Sequence, residues 1–67
     1  MSSVVKVIEI LAESPKSWED AAAKAVAKAG ESVHGIRSIY IKNLEAQVDN
    51  NKITNYRINA KVSFKVD

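Results

Sequence analysis

Residues 36–66 constrain the fold more than any other stretch. They form two long runs that meet at Asp49-Asn50-Asn51-Lys52. Asparagine tolerates positive φ better than other non-glycine residues, and a two-residue hairpin turn requires it. The two runs are therefore expected to be antiparallel neighbours. The second run, residues 52–66, alternates most regularly. Thr54, Tyr56, Ile58, Ala60, Val62, Phe64 and Val66 fall on one side, and Ile53, Asn55, Arg57, Asn59, Lys61, Ser63 and Lys65 on the other. The first set is the expected core face. The first run is less regular: Ile39 and Ile41 fall on one face, Leu44, Ala46 and Val48 on the other. That pattern calls for a bulge or strong twist near residues 42–44, or for two partners burying opposite faces at opposite ends.

Upstream, residues 4–11 (VVKVIEIL) are rich in β-branched side chains and read as a strand with apolar groups on both faces. Ser14-Pro15-Lys16-Ser17 then reads as a turn, because Pro15 biases Ser14 away from helical geometry. Ser17 is the expected N-cap of a helix, with Asp20 three residues on and Glu19 beside it in the first turn, where the helix dipole favours negative charge. The alanine-rich segment from Trp18 to about Ser32 or Val33 is that helix. Trp18, Ala22, Ala25, Ala29 and Val33 line one stripe of it, and Gly30 weakens its last turn.

The expected fold class is α+β, ordered β-α-β-β, as one domain over residues 1–67. If the third strand pairs with both others it becomes central, giving a three-stranded antiparallel sheet with the helix on one face. The lengths do not match. A helix of about 16 residues spans roughly 24 Å, whereas strands of about 14 residues span roughly 46 Å. One helix cannot cover that hairpin, and the bare apolar surface implies a partner. A small domain ordinarily needs disulfides, a metal or association. The chain has no cysteine and a single histidine, His34. Association with copies of itself is the remaining route.

The charges exclude little else. Ten Lys and Arg are interspersed with eight Asp and Glu, for a net charge of +2. That is a mixed solvated surface, with no basic block for nucleic acid. No apolar run approaches the roughly 20 residues that span a bilayer, and no signal peptide is evident, so the expected location is the cytoplasm. No catalytic constellation is present: His34 has no spaced acid partner, and Gly30 and Gly35 do not form a phosphate loop. Glu9, Glu45 and Asp49 are the carboxylates that could hold a hard cation across a symmetry axis. Trp18 reads as a core or staple residue. Arg57, mid-strand and opposite the core face, suits a carboxylate or a phosphate.

Several motifs converge on one resemblance. The strand KVIEIL, the Ser-Pro-x-Ser-Trp-Glu turn into an alanine-rich helix, Ser-Val-x-x-Ile-Arg, Tyr-Arg-Ile, and the late Val-Ser-Phe-Lys together resemble the dodecins over essentially the whole chain. The resemblance implies an antiparallel sheet partly wrapped around one helix and a hollow homo-dodecamer. It also implies non-catalytic binding or storage of riboflavin or FMN between subunits. In that family, flavin pairs stack between symmetry-related tryptophans on the second strand, and a glutamine on the third strand holds the ring's polar edge. The matching positions here are Ser38 and Arg57, so this sequence departs from the pattern at both. Tyr40, two residues beyond Ser38 on the same face, and Gln47 complete the candidate ligand-binding set. Ser38 and Arg57 in those places suggest a polar, cationic pocket. The alternative is thus an assembly holding a divalent cation or an anionic, phosphate-bearing ligand, or one that is purely structural.

Overall fold

The computed structural model describes residues 4–66. Its elements are β1 (Val5–Ser14), α1 (Trp18–Ala29), β2 (Ile36–Asp49) and β3 (Lys52–Lys65). The sheet is antiparallel with order β1-β3-β2, so the most regularly alternating strand is central. The helix lies on one face. Ala21 and Ala25 of α1 are buried against Ile58 and Ala60 of β3, and Ile10, Ala12, Trp18, Ala22, Ile39 and Ile41 pack around them. Val62 is also fully buried. Burying Ile58 or Val62 contributes about 1.5–3 kcal/mol each. The alanines contribute less, but they let the helix backbone approach the sheet.

The expected turn chemistry is present. Asn50 and Asn51 have φ of 52° and 65°, both in the left-handed region that a two-residue hairpin turn requires. Ser17 is the N-cap, its Oγ accepting from the Asp20 backbone N–H at 2.9 Å. Ser14 is buried: its hydroxyl donates to Asp20 Oδ2 at 2.5 Å and accepts from the Lys16 N–H at 3.0 Å. Gly35 takes φ of 71° as the chain enters β2, and its carbonyl accepts from the Lys65 N–H.

Two boundaries differ from the sequence expectation. β1 runs on to Ser14, because pairing with β3 continues through Glu13 opposite Arg57 and Ser14 opposite Tyr56. The helix stops at Ala29. Beyond Gly30 the backbone tightens into i,i+3 bonds, Glu31 N–H to Lys28 O and Ser32 N–H to Ala29 O. Of the expected stripe, Ala25 is buried and Trp18 and Ala22 pack against the core, and Ala21, outside that stripe, is buried with them.

β2 carries register shifts at Ile36/Ser38, Ile41/Asn43 and Gln47/Val48. The middle one explains the irregular alternation. Ile39 lies opposite Val62 and Ile41 opposite Ala60. After the slip, Leu44 lies opposite Ile58 and Ala46 opposite Tyr56. The bulge at Lys42 therefore returns both apolar sets to the helix side. The reading in which two partners bury opposite faces is not needed for these residues.

Candidate ligand face

The four candidate residues share one surface, the side of the sheet away from α1. Alternation along β3 puts Asn55, Arg57, Asn59, Lys61 and Ser63 on that side. Their partners on β2 are Gln47, Glu45, Asn43, Tyr40 and Ser38, and on β1 they are Glu13, Leu11, Glu9 and Val7 opposite residues 57 to 63. No element among the described residues covers this face. It reads as cross-strand rows of mixed polarity.

The candidates do not gather at one point. Ser38 stands opposite Ser63, and their hydroxyls share a hydrogen bond at 2.6 Å. Tyr40, in the next row, is 65% exposed and lies opposite Lys61. Gln47 is near the far end, where its Oε1 accepts from Asn55 Nδ2 at 3.2 Å. Eight residues of β3 separate the row of Ser38 from that of Gln47, roughly 27 Å. Ser38 and Arg57 are about 20 Å apart on the same scale. They do not form a shared cationic pocket within one chain.

Arg57 is already engaged. Its Nε and Nη2 both donate to Glu13 Oε1, at 2.8 and 2.6 Å, and its Nη1 lies 3.9 Å from Glu45 Oε1. The bonds that it donates to Glu13, then the charge of Glu13, raise the guanidinium pKa above its ordinary value. The nearest charged partners of Arg57 are therefore carboxylates of its own chain. Sequence reasoning missed Glu13 because it ended the first strand at Leu11. Two further antiparallel pairs would have placed Glu13 opposite Arg57.

The carboxylates Glu9, Glu45 and Asp49 lie in three different rows, opposite Lys61, Arg57 and Lys52. Among the described residues, no group of three or more His, Cys, Asp and Glu is placed to hold a metal. Glu9 pairs with Lys42 at 3.6 Å, both side chains about half exposed. One row away is a residue the sequence did not single out. The side-chain oxygen of Asn59 is buried and has no hydrogen-bond partner. Asn59 and Glu9 line the same depression, together with Ile10 and Leu11. An orphaned acceptor beside a carboxylate is a hard-oxygen arrangement.

Trp18 belongs to the scaffold. Its indole Nε1 donates to the Glu45 carbonyl at 2.7 Å, and its ring meets Tyr56 edge to face at 4.9 Å. It staples the start of α1 to β2 and β3. Asp20 also acts structurally. The Ser14 hydroxyl, then Lys24 at 3.2 Å, holds its carboxyl below the ordinary carboxylate range. His34 is exposed in the bend before Gly35. Among the described residues, no helix is long and apolar enough to cross a membrane.

A model of the dodecin family matches residues 4–67. The chain belongs to the dodecin family. Calcium dodecin of Mycobacterium tuberculosis is 47% identical over 64 residues, which is 96% of this chain and 90% of that protein. Its crystal structure, described as a calcium-chelating antigen with a novel calcium-binding site, aligns with a TM-score of 0.81 at 48% identity. The alignment covers 97% of this chain and 93% of that one. Dodecin from Streptomyces davaonensis aligns with a TM-score of 0.92 at 19% identity, over 100% of this chain and 98% of that one. A variant of Thermus thermophilus dodecin gives 0.92 at 20%, over 98% of each chain. The last two show the fold. It is the dodecin fold: β-α-β-β, with three antiparallel strands and one helix.

Proposed function

We propose that this dodecin is a non-catalytic, self-assembling binding protein whose copies together hold a hard divalent cation, calcium by chemical class, rather than a flavin. The observation that carries the reading is the unpartnered Asn59 oxygen beside Glu9 on the uncovered sheet face. Calcium takes six to eight oxygen ligands, from carboxylates, amide carbonyls and water. One chain offers two such side chains, so a site of this kind is completed by a neighbouring copy or by water. The Glu9–Lys42 pair is no obstacle, since exposed ion pairs contribute only about 0–1 kcal/mol. Homology to the mycobacterial calcium dodecin supports the choice of cation. The twelve-subunit shell typical of the family is the proposed assembly, and the cytoplasm the proposed location.

The face fits a flavin in the family's usual mode poorly. Stacking on an aromatic plane contributes about 1–3 kcal/mol per ring, by analogy with base stacking. Ser38 offers a hydroxyl already bonded to Ser63 instead, and Arg57 is held by Glu13. One observation favours riboflavin or FMN as a second reading: the Tyr40 ring is exposed on the same face, two residues from Ser38. Calcium titration by calorimetry and riboflavin fluorescence titration on the same apoprotein separate the two. The expected result is calcium binding that weakens about tenfold or more, a loss of at least 1.4 kcal/mol, in Glu9→Gln and in Asn59→Ala. Undiminished calcium affinity in both variants would remove the site. Stoichiometric riboflavin quenching without calcium binding would favour the second reading.

A further inference from the structure

The bulge in β2 has a second effect besides resetting the core alternation. Ile41 lies opposite Ala60 and Asn43 opposite Asn59, so Lys42 is left between them without a partner in the ladder. Bulges re-aim side chains in this way. Alternation from Tyr40 places Lys42 on the face away from α1, and the slip places Asn43 there too.

Lys42 then reaches across the sheet. Its Nζ lies 3.6 Å from Glu9 Oε2. Glu9 is on β1 and Lys42 on β2, the two outer strands. Neighbouring strands lie about 4.8 Å apart, so these backbones are roughly 10 Å apart and the lysine stem spans the central strand. It starts in the row of Asn59 and ends at Glu9, one row away. Lys61 stands directly opposite Glu9, yet the ion pair that Glu9 makes is with Lys42.

We propose that Lys42 is a tethered competitor for the cation of this face. Its ammonium occupies the Glu9 carboxylate when no metal is bound and leaves it when a divalent ion loads. The inference rests on the calcium reading and names what sets the concentration at which that site fills. The charges decide the contest. At equal distance a dication is attracted to a carboxylate twice as strongly as an ammonium. Calcium also comes closer, to about 2.3–2.6 Å from oxygen, whereas the lysine stands at 3.6 Å. A monovalent ion carries no more charge than Lys42 itself. The tether therefore favours divalent over monovalent cations. Both side chains are about half exposed, so the pair is weak enough to yield. The same weakness bounds the effect, because an exposed pair lowers the cation affinity by no more than about fivefold.

Lys42→Gln and Lys42→Met remove the charge and keep most of the stem. Both replace an exposed side chain, so far-UV circular dichroism should not change. Calcium titrated calorimetrically into the metal-free full chain at low salt is expected to bind both variants about two- to fivefold more tightly than the parent. Lys42→Arg, which keeps the charge, should stay at the parent value, and Lys61→Gln should gain less than Lys42→Gln. Calcium that binds the uncharged variants but not the parent at the same concentration would also support the competitor. Unchanged affinity in both uncharged variants, with the parent binding calcium, overturns the competitor and leaves the calcium reading standing. An equal gain in Lys61→Gln overturns it too, since net charge alone would then account for the effect. Calcium binding to neither the parent nor the Lys42 variants removes both readings.

Discussion

Ser14 shows how much one small side chain decides here. It is the only polar residue buried among the described ones, and its hydroxyl is satisfied twice, by Asp20 Oδ2 and by the Lys16 N–H. The same carboxylate meets Lys24, so the start of the helix is tied to the end of β1. Because these contacts lower the Asp20 pKa, they stabilise the fold when pH is above the unfolded carboxylate value of about 4. That stability is lost as pH falls through the lower, folded value. Ser14→Ala removes the largest cause of the shift. Urea unfolding at pH 6 and pH 2.5 should therefore show a smaller difference between the two pH values in the variant than in the parent chain. An equal difference would mean that the Ser14–Asp20 bond contributes nothing to the acid limb. Arg57 makes a related point about specificity. Its guanidinium is spent on Glu13 and Glu45, so a positive residue on a ligand face need not mean an anionic ligand.

Among the elements, the hairpin was the most legible. Its turn position, strand lengths and core face all follow from the alternation of residues 52–66 and from two asparagines. The turn yields a direct check. Left-handed geometry costs a non-glycine residue roughly 1–2 kcal/mol, which Asn partly avoids. Asn51→Gly should keep or slightly raise stability, and Asn51→Val should lower it by about 1 kcal/mol or more, read from denaturant midpoints; equal midpoints would contradict the turn assignment. The ends of β1 and α1 were less legible, for different reasons. Alanine propensity carries the helix reading on through Ala29, and only the Gly30 backbone and the i,i+3 bonds after it end the element. Glu13 and Ser14 look like the approach to a proline turn, and only their pairing with β3 makes them strand. The site suffered from the second error. Strict alternation put Ser38 and Tyr40 on one face of the second strand and Gln47 on the other; the bulge at Lys42 brings Gln47 round to their side, and the sequence did not set Glu13 against Arg57. Asn59 gave no local signal at all, because an unpaired amide becomes visible only when the rows around it are assembled.

The whole molecule is 52 × 20 × 13 Å with a radius of gyration of 13.8 Å, against about 11 Å for a compact chain of this length. A body this thin cannot bury enough surface alone, and its fully buried hydrophobic residues are Ala21, Ile58, Ala60 and Val62. Its stability should therefore be borrowed from neighbours and from whatever they hold between them. Two consequences can be separated in one set of thermal melts. If copies stabilise one another, the midpoint rises with protein concentration in the absence of any metal. If the assembled copies also hold calcium, the midpoint rises again on adding it and returns to the first value with a chelator. At calcium a hundredfold above its dissociation constant, one site contributes about 2.7 kcal/mol. For a domain of this size that is a shift on the order of 10 °C. Dependence on concentration without dependence on calcium would leave a structural shell and remove the cation. A midpoint indifferent to both would mean that the thin monomer is stable by itself, contrary to the burial that its shape allows.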